Sequence, residues 1–93
     1  MATNVNVSDS RQLGTVVRAV RIAAGLSQVD AAALCGVSGP FISRLEGGKP
    51  TTRLGLVLQV CRGLGIALSA RVPLATPEFS EVSRRRRVPK ARR

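Results

Sequence analysis

The chain has 93 residues, 44% of them hydrophobic, and its 15 Lys and Arg against 5 Asp and Glu give a formal charge of +10. That length allows one small domain with a marginal core, and no apolar run approaches the roughly 18 residues of a membrane span. A basic excess of this size points to a polyanionic partner, most often nucleic acid, while a chain with no histidine and two cysteines is poorly equipped for zinc or nucleophilic chemistry.

Residues 1–8 carry no pattern and are expected to form a flexible N-terminus. Asp9, with Gln12 three positions on, reads as a capping box. Leu13, Val16, Val17, Val20 and Ala24 then follow the i, i+3, i+4, i+7 spacing of one helix face. Gly14 lowers helix propensity locally and Gly25 ends the pattern. Arg11 and Arg18 lie off the apolar face, and Arg21 lies close to it.

Ser27 opens S-x-x-D, a cap for a second helix from Gln28 to about Cys35. Its inward positions, Ala31, Ala32 and Cys35, are small, and Val29 and Leu34 point outward. Gly36 suits the residue after the helix, and Ser38 caps a third helix from Gly39 to Glu46, with Pro40 in the first turn. Val37, Ile42 and Leu45 face inward and Phe41 falls at the core margin. Two capped helices about a short turn containing glycine form a helix-turn-helix. Gly47-Gly48 stops the third helix; it is no phosphate loop, because no strand precedes it.

Thr52 is expected to cap a fourth helix with Leu54, Val57, Leu58, Cys61 and Leu64 on one face and Leu56 and Val60 elsewhere. Gly65 closes it. The period then changes to two: Ile66, Leu68 and Val72 alternate with Ala67, Ser69 and Arg71, with Ala70 between, and Pro73 closes the segment. One strand leaves its backbone groups unpaired. Residues 66–72 are therefore expected to pair, through Ile66, Leu68, Ala70 and Val72, with the same strand of a second copy in a C2 homodimer.

Residues 9–73 thus read as one all-α domain of four helices with a dimerising strand, and 74–93 as a disordered basic tail. The charge divides evenly, +5 over 1–73 and +5 over 74–93. The tail has three open readings: a solvated end, an arm tracking phosphates, or a segment that orders on a partner through Leu74, Phe79 and Val82. Residues 1–10 are mostly polar and uncharged except Asp9 and do not read as a signal peptide, and a cytoplasmic setting with reduced thiols is expected. Cys35 and Cys61 fall on core positions, and no acids cluster. No catalytic residue, metal site or cofactor is expected, and no enzyme.

The run from Leu13 to Val72 resembles the lambda-repressor-like, Xre-type helix-turn-helix domain. The residues that carry the likeness are Leu26-Ser27-Gln28, Ala32, Gly36-Val37-Ser38 and Ile42 to Lys49. Within that family, F-I-S-R-L-E-x-G-K-P-T, followed by L-x-x-V-L and a terminal strand, is similar to HipB-like antitoxins of toxin–antitoxin operons. The resemblance implies a homodimer that binds palindromic operator DNA as a repressor and holds a kinase-fold, HipA-type toxin. A stand-alone Xre-type regulator, or a toxin-neutralising protein with weak DNA binding, would carry the same motif.

In such a motif the start of the second motif helix enters the major groove. The matching positions are Ser38, Gly39, Pro40, Ser43 and Arg44, and Arg44 suits guanine O6 and N7. Gly39-Pro40 departs from the polar pair common in the family, which leaves apolar contact with a thymine methyl, or shape, in place of two readers. Gln28 is implied as a phosphate contact, Lys49 and Arg53 are phosphate candidates flanking the motif, and Arg21 with Glu46 matches a structural ion pair. The plain readings are solvated charges for Arg44 and Lys49 and a polar first-turn residue for Gln28.

Overall fold

Caps decide where the helices begin. In the computed structural model, which describes residues 2–73, α1 spans Ser10–Ala23, α2 Gln28–Cys35, α3 Gly39–Glu46 and α4 Leu54–Leu64. The Asp9 side chain accepts from the Gln12 amide at 2.8 Å, Ser27 Oγ from the Asp30 amide at 3.0 Å and Ser38 Oγ from the Phe41 amide at 3.1 Å. Each satisfies one of the amides that a helix start leaves without an intrahelical partner. The fourth helix differs from expectation. Its N-cap is Arg53, not Thr52, and no side chain caps it.

The core lies where the four helices meet. Val17 of α1, Ala31, Ala32 and Cys35 of α2, Phe41, Ile42 and Leu45 of α3, and Val57, Val60 and Cys61 of α4 are buried together. Small residues on α2 let it pack against both α3 and α4. Phe41, expected at the margin, is only 6% exposed. Ala24, expected on the inner face, is exposed at the end of α1.

The buried face of α4 is rotated from the one expected. Val60 is fully buried and Leu56 packs on the core, whereas Leu54 is 69% exposed. The stripe is Val57, Val60, Cys61 and Leu64, which keeps helical spacing but shifts its phase. LGLVLQVCRGL is apolar nearly all round, so periodicity admits two phases and the neighbouring helices choose between them. Val29 and Leu34 are exposed, as expected.

A glycine sets the closest approach between α1 and α3. A Cβ on Gly14 would stand 2.4 Å from the Leu45 carbonyl oxygen and 2.8 Å from that of Glu46. Any side chain there would push α1 off the end of α3. Beyond α4, Ile66 packs on the core while Leu68 and Val72 are exposed. No strand ladder forms among the described residues of the single chain; pairing of 66–72 is a matter for a second copy. The tail 74–93 lies outside the described residues. No helix among those described is long and apolar enough to cross a membrane.

Candidate nucleic-acid interface

The unit α2–turn–α3 is held from behind by one buried ion pair. Arg21 Nε donates to Glu46 Oε2 at 2.5 Å and Arg21 Nη2 to Glu46 Oε1 at 2.9 Å. Arg21 Nη1 donates to the Leu26 carbonyl at 2.8 Å, so the same guanidinium also pins the α1–α2 loop. The side chains are 11% and 4% exposed. The Glu46 carboxyl feels burial, which pushes its pKa up. Hydrogen bonds from Arg21 and Gln28, with the charges of Arg21 and Arg18, outweigh that and hold it below the ordinary value. The carboxylate hydrogen bond raises the Arg21 pKa more than burial lowers it.

Gln28 belongs to this network. Its Nε2 donates to Glu46 Oε1 at 3.1 Å, which ties the start of α2 to the end of α3. One N–H and the carbonyl oxygen of the amide remain for a further contact. A second lock holds the turn: Gln59 Nε2 donates to the carbonyls of Cys35 at 2.8 Å and Gly36 at 3.2 Å, gripping it from α4.

With Phe41, Ile42 and Leu45 turned inward, α3 leaves Ser43 and Arg44 exposed, and Ser38 and Pro40 are exposed at its start. Ser38 Oγ is occupied as an acceptor by the Phe41 amide, so its own proton is the group left to donate. Gly39 is half-buried, yet a Cβ there would meet nothing within 4 Å among the described residues. Arg44, Lys49 and Arg53 share one open hollow of about 340 Å³ with Phe41, Thr51 and Thr52. Three of the cations picked out by sequence thus border one hollow, while Gln28 sits against Glu46 and Arg21 lies behind, away from solvent.

Three positioning groups escape the sequence reading: Gln59, Gly14 and Ser10. Ser10 Oγ donates to the Gly48 carbonyl at 2.8 Å, joining the start of α1 to the turn after α3. The signal for Gln59 was its isolation: apart from Arg62 in the last turn, it is the one polar side chain on the helix. Cys35 and Cys61 are buried, and desolvation pushes both thiols up. That keeps them in the unreactive protonated form. This interface is therefore an exposed helix edge, tied to its neighbours by hydrogen bonds, with a hollow lined by three cations beside it, suited to binding a polyanion.

Comparison with known proteins bears on the same segment. A family model described as a helix-turn-helix domain matches residues 12–74. An uncharacterised HTH-type transcriptional regulator, y4mF, of Sinorhizobium fredii (strain NBRC 101917 / NGR234) is 43% identical over 61 residues, 66% of this chain and 80% of that protein. Among solved structures, a chain of a HipB–O4 20mer complex superposes with a TM-score of 0.68 at 20% identity, covering 76% of this chain and 100% of that one. A chain of a HipA–HipB–O2–O3 complex gives 0.68, 20%, 76% and 100%. At these identities the likeness is one of fold.

Proposed function

The chain belongs to the helix-turn-helix domain family, and from that premise we propose that it is a homodimeric DNA-binding repressor that autoregulates an operon in which it is the antitoxin. As a helix-turn-helix transcriptional regulator it would set α3 of each copy in a major groove, with half-sites about one DNA turn, roughly 34 Å, apart. Arg44 reads a guanine edge; Ser38 and Ser43 bond to base edges or phosphates; Gly39 and Pro40 lie against a thymine methyl or follow the shape of the groove. Gln28, Lys49 and Arg53 hold phosphates. The observation that carries this reading is the hollow that Arg44, Lys49 and Arg53 line beside the exposed Ser43 and Arg44 of α3.

The finer reading adds two partners. One is a second copy, paired through Ile66, Leu68, Ala70 and Val72. The other is a kinase-fold, HipA-like toxin. Its support is the fold shared with a chain of a HipA–HipB complex and the Ile42–Lys49 motif. The setting is cytoplasmic. A regulator with no toxin is the second reading, favoured by the 43% identical relative, which is named as a transcriptional regulator alone.

A gel shift with the region upstream of the gene tests DNA binding, with Arg44→Ala as the variant. Loss of specific binding in that variant supports the assignment, and full retention removes Arg44 as the reader. A kinase-fold reading frame beside the gene, whose product co-purifies with this chain, separates antitoxin from stand-alone regulator.

A further inference from the structure

We propose that Arg11, on α1 and outside the helix-turn-helix unit, is a DNA-backbone contact that lengthens the cationic tract of Arg44, Lys49 and Arg53. This rests on the DNA-binding reading above and adds a second element to it.

The start of α1 is fastened to the turn that follows α3. Ser10 Oγ bonds to the Gly48 carbonyl. A Cβ on Gly48 would stand 2.8 Å from Arg11 Cα and 3.2 Å from Arg11 Cβ, and Gly48 has φ +80, which favours glycine in any case. Gly48 precedes Lys49, so the Cα atoms of Arg11 and Lys49 lie at most about 8 Å apart. Successive phosphates of one strand advance about 3.4 Å along a duplex axis. Cations this close serve phosphates one or two steps apart. Lys49 is itself fixed to α3, its amide donating to the Arg44 carbonyl at 3.1 Å.

Among the described residues nothing competes strongly for the Arg11 charge. Arg11 is exposed, and the first turn of α1 holds no acidic residue. Asp9, two positions away, accepts from the Gln12 amide as the helix cap. The ion pair found among the described residues joins Arg21 and Glu46 and leaves Arg11 out.

The test uses the full chain and a duplex of its upstream region, with affinity measured from about 50 to 200 mM salt for the wild type, Arg11→Ala, Arg11→Lys and Lys49→Ala. The Arg11 atoms nearest the Cβ position of Gly48 are N, Cα and Cβ, all kept by alanine, so the thermal midpoint should not move. The expected result for Arg11→Ala is a log–log salt slope shallower by about one per protomer, with unchanged preference over a scrambled duplex. Arg11→Lys should restore most of the slope. A wild-type slope in Arg11→Ala, beside a shallower one in Lys49→Ala, overturns the proposal and leaves the DNA reading standing. No wild-type binding to either duplex overturns both.

Discussion

Arg21 on α1 holds Glu46 at the end of α3 through both carboxylate oxygens, at 2.5 and 2.9 Å, across 25 residues of chain. Removing one partner strands the other charge in a buried site, which costs about 3–5 kcal/mol. Arg21→Met and Glu46→Leu should each lower stability by that order in urea unfolding followed by circular dichroism. The double variant should lose less than the sum, because neither charge is then left alone. Additive losses would show that the two side chains do not act as a pair.

The same pair predicts acid sensitivity. Glu46 has a folded pKa below its unfolded value of about 4.3, because the bonds from Arg21 and Gln28 outweigh burial. Between the two values the unfolded chain binds more protons than the folded one, so stability rises with pH there. The contribution is complete above the unfolded value and drains away as pH falls through the folded one. Arg21 stays charged throughout. Urea midpoints from pH 6 to 3 should fall for the wild type, and the fall should be shallower in Glu46→Gln.

Gly14→Ala separates helix propensity from packing. Alanine favours a helix interior by about 1 kcal/mol, but its Cβ would stand 2.4 Å from a backbone oxygen of Leu45. Backbone cannot swing aside as a side chain can, so overpacking, at about 1–3 kcal/mol, should win. The expected outcome is a lower thermal midpoint and weaker DNA binding, since α3 is displaced with α1. A raised midpoint would mean that α1 and α3 can separate at little cost.

At the other end of α3, Gly39 offers room. A Cβ there meets no atom of the described residues within 4 Å, so Gly39→Gln should leave the fold intact. It should also add a side chain able to bond adenine N6 and N7. The expected readout is a changed base preference at one operator position in a randomised-site selection, with the thermal midpoint equal to or above that of the wild type.

How much of this was legible depends on what kind of interaction is involved. The starts of α1, α2 and α3 were readable because a cap is a local device: Asp9, Ser27 and Ser38 bond amides three residues on. The Arg21–Glu46 pair was readable through the family likeness, though nothing in one chain shows two residues 25 apart in contact. Thr52 misled because it is a good cap one residue too early, and the helix starts uncapped at Arg53. Val60 misled because an almost wholly apolar helix has no single face until its neighbours arrive. Gly14 looked like a weakness of α1 and proved to be its contact with α3, a fact that belongs to two elements at once. For Gln28 the motif implied an outward partner, and the side chain bonds inward to Glu46 as well.

The Gln28–Glu46–Arg21–Leu26 chain of bonds has a kinetic meaning too. It ties the end of α1, the loop, the start of α2 and the end of α3 into one knot, so none of them can open alone. Amide hydrogen exchange in these segments should then follow a single sub-global event rather than separate fraying steps. A recognition helix immobilised in this way surrenders its freedom at folding, and docking on a duplex asks for little further ordering.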